Sequence, residues 1–382
     1  MQQRVVAAGR LRRWLVTAAS RHTKTGCTMP TRRQLLRTLP AAPLAAFLPA
    51  FGQTQTTSPT FDAAALKAGY AARLKKILAA GALPYIDLES SCNATLIDID
   101  FVVQNMDRLN IGVMALSADI GNGQFQKGVR FDRLSEKLVA SYPDHFIPVG
   151  NGGQGPALID TPGEFFDAQD AAIKAGEVFC LGEFEFRHYP SPRQVKRGES
   201  EDRDVQIPID GPIGHRLFST AEKTGMAFQI HYEVEDGLLP PLEKMLAQYP
   251  KARVVWCHVA QVRYIKRASR YTPAYVDGLL KRFPQLSFDT AFGDAQSTYK
   301  PSGQRHARIW GQGGAINPKW RDVLVANPTR FLSALDLGGD RIDQIGRYDQ
   351  RHRYFLSQLP SELQHQVAYR NAWSLLFGED FV

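Results

Sequence analysis

Ala227-Phe-Gln-Ile-His231, Val254-Val-Trp-Cys-His258 and Arg330-Phe-Leu-Ser-Ala-Leu-Asp336 are three short apolar runs, each ending on a histidine or an aspartate. Runs of this length read as buried strands. In a closed barrel of parallel strands their ends would meet at one mouth, where a metal or a hydrolytic base is expected. The earliest comparable run ends on Asp87-Leu-Glu-Ser-Ser91.

On either side of these runs the same order recurs: a short apolar run, a polar loop, a longer amphipathic segment. Strands are expected at 84–88, 111–116, 146–149, 178–186, 226–231, 253–258, 286–290 and 330–336. Between them 3.6-residue periodicity predicts helices at 96–108, 131–141, 165–175, 212–224, 238–249, 273–282 and 320–326. A further helix, 61–80, precedes the first strand. Two more, 343–356 and 361–377, follow the last and are expected on the outside of the barrel. Eight strands alternating with helices predict an α/β fold, a single-domain (β/α)8 TIM barrel with extra C-terminal helices. An open doubly wound sheet is the runner-up; no Gly-x-Gly-x-x-Gly turn follows the first strand to favour it. Two long strand-to-helix loops, 187–211 and 291–317, carry charge and aromatics and are expected to be ordered over the mouth.

The 382 residues carry a net charge of +8, but its placement is uneven. Residues 1–52 hold nine Lys or Arg and no acid; removing those nine from 46 leaves 37 basic against 38 acidic residues. The body lacks the basic field that nucleic-acid binding needs. Within the leader, Thr31-Arg-Arg-Gln-Leu-Leu-Arg37 precedes a moderately apolar stretch from Leu39 to Phe51, with Ala50-Phe-Gly52 as a cleavage site. This has the twin-arginine export pattern. The stretch is too short and proline-broken to span a bilayer. The expected division is an upstream over-extension at 1–28 (Met29 being the start), a signal peptide at 29–52, a linker at 53–59 and the barrel at 60–382. Export would place the protein in the periplasm. Cys92, Cys180 and Cys257 remain after the leader's Cys27, an odd number with no disulfide framework.

Strand alternation selects the side chains that face the barrel axis. Phe184 and Phe186 share one face of their strand, so Glu183 and Glu185 point inward; Phe228 and Ile230 leave Gln229, His231 and Glu233 inward. Val254, Trp256 and His258 fall in one phase, Leu332, Ala334 and Asp336 in another, and Asp87, Glu89 and Ser91 in a third. The inferred lining therefore crowds six carboxylates at one mouth: Asp87, Glu89, Glu183, Glu185, Asp289 and Asp336. They cannot all stay ionised without cations. Either a divalent metal sits among them, or Arg187, His188 and Arg263 neutralise them, or some are protonated. At least two of the six are expected to be supporting or rim groups.

The ordered set Tyr85-Ile-Asp-Leu-Glu89, Phe228-Gln-Ile-His-Tyr-Glu233, Trp256-Cys-His258 and Phe331-Leu-Ser-Ala-Leu-Asp336, with Arg370-Asn-Ala-Trp-Ser-Leu-Leu-Phe377 at the C-terminus, resembles the amidohydrolase superfamily, in its branch of metal-dependent hydrolases and decarboxylases. The resemblance covers roughly residues 82–382. It implies that His231 and Asp336 ligate a metal and that His258 is a catalytic polarising group. The family's first strand normally ends in His-x-His; here Glu89 takes the first position, as in decarboxylase relatives, and Ser91 the second. A neutral serine is a poor ligand, so the implied site is Glu89, His231 and Asp336 with water, holding Zn²⁺ or Mn²⁺ more weakly than the full set, or not at all.

On this basis the expected activity is hydrolysis of an ester, lactone or amide in a small anionic substrate. Asp336 would be the proton acceptor, and Arg187, His188, Glu233, Arg263 and Tyr264 would contact substrate. Asp87, Glu183, Glu185 and Asp289 would act in support. A metal-assisted decarboxylase and a non-catalytic periplasmic binding relative that has lost its metal remain as alternatives. The expected partners are a small-molecule substrate and the twin-arginine export machinery; a homo-oligomer is compatible, while nucleic acid and stable membrane insertion are not expected.

Overall fold

Eight strands follow one another around a ring, each parallel to the next. The computed structural model describes residues 61–119, 131–153, 155–201, 203–338 and 341–382. The expected over-extension, signal and linker lie outside them. β1 (Ile86–Cys92) pairs with β2 (Val113–Ala118). Just ahead of β3 (Val149–Gly150), Met114 N–H donates to His145 O and Ile147 N–H to Met114 O, both at 2.9 Å, joining β2 to that segment. The ring then runs through β4 (Cys180–His188), β5 (Ala227–Tyr232), β6 (Val254–Trp256), β7 (Leu286–Asp289) and β8 (Phe331–Leu332). Closure comes past the end of β8. Leu88 N–H donates to Ser333 O, Asp336 N–H to Glu89 O and Ser91 N–H to Leu337 O, at 3.2, 2.9 and 2.7 Å. This is the (β/α)8 arrangement, with all eight expected strands in order.

Alternation sorts the layers. Phe184 meets Phe165 and Phe166 of helix Pro162–Lys174, and Phe228 meets Phe218 of helix Pro212–Thr224, with ring centroids 5.0 to 6.4 Å apart. Each such buried ring contributes roughly 2–3 kcal/mol of hydrophobic stabilisation. Inside, Asp87 is fully buried; Ser90 Oγ donates to it at 2.7 Å and Leu335 N–H at 2.9 Å, tying β1 to the chain after β8.

Two strand ends depart from the expected phase. Trp256 packs outward against Phe288 and Tyr271. Simple alternation would send His258 the same way. Instead β6 stops at Trp256, and His258 takes φ = +66°, which turns its side chain to the cavity. Asp336 has φ = +53°, so the phase through Leu332 and Ala334 is also broken. Non-glycine residues seldom occupy this region, and they concentrate at functional sites.

Both long loops are built structures. The first carries the short helix Pro192–Lys196, begun by a Ser191–Gln194 capping box, and the strand Val205–Gln206, which pairs antiparallel with the end of β4. The second carries the hairpin Thr298–Tyr299/Gln304–Arg305. Helix Ile345–Ser357, expected on the outside, brings Arg347, Tyr348 and Arg351 to the mouth. The expected helix over 361–377 is divided by a wide π turn at Gln366–Arg370. Within that turn the Val367 carbonyl accepts from the Ser333 N–H and hydroxyl. No described helix is long and apolar enough to cross a membrane.

Candidate active site

The C-terminal ends of the strands open into a cavity of about 420 Å³. Its wall includes seven arginines and six carboxylates, together with His188, His231, His258 and His306.

Glu183 lies at its centre. The chain delivers it there through close glycine contacts between β3 and β4. A Cβ on Gly152 would lie 2.6 Å from Glu183 O, and one on Gly182 would lie 2.8 Å from Gly150 O. Gly153 N–H donates to Glu183 O, and Glu185 N–H donates to Gly153 O. Glu183 Oε1 lies 2.8 Å from His231 Nδ1 and 3.1 Å from His258 Nε2, and these two nitrogens are 3.1 Å apart. The outer ring nitrogens are occupied. His258 Nδ1 is 2.9 Å from Ala291 O, and His231 Nε2 is 3.3 Å from Glu233 Oε1, which is held in turn by Arg263 Nε at 2.8 Å. Donation through the outer nitrogens leaves both inner lone pairs aimed at one point. Metal-binding histidines are oriented in this way. One carboxylate oxygen and two imidazole nitrogens suit Zn²⁺ or Mn²⁺, so the donor set fits a divalent cation.

Without a cation the cluster shares protons. Burial opposes charge on both histidines, but Glu183 and then Glu233 override it and raise His231 to about 10. Burial pushes Glu183 up, yet His231 and His258 hold it well below the ordinary carboxylate range. Glu89 is raised well above that range, by burial first and then by Glu183, Asp336 and Asp289. Burial raises Asp87 to about 7. For Asp336, Arg341 and His258 overcome burial and lower the carboxyl.

The geometry redistributes the expected roles. Glu89, His231 and Asp336 do not form one of the converging donor groups among the described residues. Glu183, expected in support, and His258, expected to polarise substrate, converge with His231 instead. A second group, Glu89, His258 and Asp289, contains two buried oxygens without partners, Glu89 Oε2 and Asp289 Oδ2. Asp289 Oδ1 accepts from the N–H groups of His258 and Ala291 and so sets the turn that carries His258. Asp336 lines the cavity with Oδ1 held by Arg341 at 2.8 Å. Ser91 lines it too.

Three expected substrate contacts lie elsewhere. Arg187 is not on the cavity wall: it pairs with Asp204 and Glu235 at 2.6 and 2.7 Å and lies over Tyr189. Its charge is spent bracing the loop. Tyr264 packs against Tyr189, Tyr299 and Arg267 behind the wall. Glu233 is buried behind His231. Arg263 and His188 do line the cavity; Arg263 also binds Tyr189 O, and His188 Nδ1 is 2.8 Å from Arg203 O. Glu185 lines it and pairs with Arg203. Arg203, Asp294, His306, Arg341, Arg347 and Arg351 were not singled out by sequence. They sit in loops and on the tail helix, where no strand phase points to them.

No protein-family model and no curated protein matches the chain. Among solved structures it is similar to 4-oxalomesaconate hydratase from Rhodopseudomonas palustris, at 13% identity and TM-score 0.45, over 84% of this chain and 94% of that one. It is also similar to 2,6-dihydroxybenzoate decarboxylase from Rhizobium, at 13% and 0.43, over 77% and 98%. An amidohydrolase from Burkholderia multivorans gives 11% and 0.45, over 77% and 99%. Likeness at this level selects no reaction.

Proposed function

We propose that the cavity is the active site of a metal-dependent hydrolase of amidohydrolase type, which cleaves an ester, lactone or amide in a small anionic substrate. The observation that carries this reading is the convergence of Glu183 Oε1, His231 Nδ1 and His258 Nε2 within 2.8 to 3.1 Å, with both outer nitrogens held. A zinc or manganese ion held by these three residues would supply Lewis acidity toward a carbonyl and make water a better nucleophile at neutral pH.

The chain's own groups do the rest. Glu233 and the Ala291 carbonyl fix the imidazole orientations. Asp336 takes the proton of the attacking water. Arg341 holds its Oδ1 and keeps the carboxylate ionised. The depressed basicity is the cost of that readiness. A divalent cation added to a wall of seven arginines and six carboxylates would make the cavity net positive, which favours an anionic substrate over a neutral one. The two long loops narrow access to bulk water, which strengthens these interactions.

The test is elemental analysis of freshly purified protein, followed by a screen of esters, lactones and amides. One equivalent of zinc or manganese, lost in His231→Ala together with hydrolysis, supports the reading. Full hydrolysis by protein stripped of metal would sink it. A second reading is metal-assisted decarboxylation. Glu89 favours it, as a buried carboxyl at the cavity wall with an unpaired oxygen and a raised affinity for its proton, the kind of group that protonates carbon. Release of carbon dioxide from an aromatic acid, with no hydrolysis, would select it.

We also propose export by the twin-arginine route into the periplasm, on the strength of Arg32-Arg33 and the apolar stretch behind them. Folding before export would let the cytoplasm load the metal. Replacement of both arginines by lysine should retain the protein in the cytoplasm; unchanged periplasmic yield would refute this.

A further inference from the structure

The cavity wall holds a guanidinium with more donors than acceptors. Arg203 lies in the β4–β5 connection and is 3% exposed. Its Nη2 pairs with Glu185, also 3% exposed. Its Nε and Nη1, carrying three N–H groups between them, have no partner. Buried donors left unpaired are costly, the more so on a charged group. The side chain cannot readily swing away to water. Arg203 N–H donates to Glu199 O, its carbonyl is bound by His188, and the strand it leads into is zipped onto β4.

The other cavity arginines are engaged. Arg263 is spent on Glu233 and Tyr189 O, and Arg341 on Asp336, Gly338 O and Tyr348. Arg347 and Arg351 share Asp294. Arg193 and Arg197 also have partners. Among the described arginines that line the cavity, Arg203 is therefore the one with buried donors left unpaired. Its location is specific: Glu185, to which it is clamped, is the cross-strand partner of His231. The guanidinium stands one strand pairing away from the three converging donors.

We propose that Arg203 anchors a carboxylate of the substrate, and that the substrate class is a carboxylic acid whose carboxylate lies close to the reacting bond. This rests on the reading of the cavity as a metal-dependent active site. A carboxylate presents up to four lone-pair directions, and the unpaired Nη1 of Arg203 carries two charged N–H donors that one would accept from. Arg187, the arginine adjoining the strand end, is already neutralised outside the cavity.

Calorimetry tests this with three matched pairs: benzoate and benzamide, succinate and succinamide, N-acetylglycine and its amide. Each is titrated into zinc-loaded and metal-free wild-type protein and into the double variant Arg203→Met/Glu185→Gln. The double change leaves neither charge orphaned, and its unfolding midpoint and zinc content report whether the fold and cluster persist. At least one acid should bind better than its amide, and the double variant should lose about ten- to a hundredfold of that acid's affinity, with the amide unchanged. Equal affinity for acid and amide in wild type would overturn the proposal. So would equal acid affinity in wild type and double variant, or acid binding that needs zinc but not Arg203. Failure to take up either zinc or manganese would remove the hydrolase reading separately, and the metal-free titrations would still decide the anchor.

Discussion

Replacing Glu183 by glutamine isolates the centre of the donor cluster with almost no change in volume. Its Oε1 faces one nitrogen at 2.8 Å and another at 3.1 Å. A unit charge at about 3 Å interacts with another by roughly 5 kcal/mol at an effective dielectric of about 20. The amide oxygen can still ligate, so only part of this is forfeited. A loss of about 3 kcal/mol, somewhat over a hundredfold in metal affinity, is expected. Competition against a chromophoric zinc chelator measures it, with unfolding followed in parallel. Glu89→Gln and Asp336→Asn are the controls, because those residues are the ligands expected from the sequence. If Glu183→Gln holds zinc as wild type does while either control loses it, the metal belongs to Glu89, His231 and Asp336, and the donor set read from the structure is wrong.

Glu233→Gln should weaken zinc binding by about 10- to 100-fold, less than Glu183→Gln, because it orients His231 without facing the cluster; chelator competition ranks the two. Arg187→Met should lower stability by about 2 kcal/mol in urea, discounted for the exposure of Asp204 and Glu235, with metal and carboxylate affinity unchanged. A tenfold loss of carboxylate affinity at unchanged stability would restore it as a substrate contact. Burial first, with Arg351 and Arg353, lowers His352 to about 3, against about 6.5 for the unfolded chain. The unfolded state then takes up a proton that the folded state refuses, so this stabilisation is complete above pH 6.5 and is lost as pH falls. Between pH 6.5 and 5 it amounts to about 1.5 kcal/mol. His352→Asn should flatten that part of the urea-midpoint profile, and an unchanged slope would count against it.

The strands were legible because each is a short apolar run buried on its outer face, and the phenylalanines of β4 and β5 mark that face unambiguously. The inward placement of Glu183, Glu185 and His231 follows directly. His258 was legible as a strand-end residue but not as an inward one, since alternation groups it with Trp256. Only a left-handed backbone at His258, secured by Asp289, reverses it. Such a reversal leaves no periodic trace. Arg187 misled for a different reason. It adjoins a strand end, but its neutralising acids Asp204 and Glu235 come from two other segments. Arg203 and Arg341 had no strand phase to announce them, because their positions are set by loops that fold onto the barrel.

The mouth concentrates features that work against stability. His258, Ala260 and Asp336 take positive φ without being glycine. Glu89, Asp289 and Glu185 each bury an oxygen without a partner, and Arg203 buries two such nitrogens. Two imidazoles present their ring nitrogens to each other at 3.1 Å. Strain of this kind costs on the order of 1–3 kcal/mol per residue, and unpaired buried polar groups cost a similar amount. A fold needing only stability would have relieved them locally, with glycine at the turns and apolar groups at the wall. Glu89 and Asp289 instead share a converging donor group with His258 that a cation would satisfy, and the unpaired Arg203 nitrogens would be satisfied by an anion. The cluster of Glu183, His231 and His258 turns three donor atoms toward one another, and Arg203, beyond its pairing with Glu185, keeps two nitrogens without acceptors. A cation and a carboxylate bound side by side would satisfy both. This complementarity ties the proposed metal centre and the proposed anchor into one site, and it predicts that zinc and a carboxylate should each tighten the binding of the other. Independent binding of the two would mean that the strained elements serve separate ends.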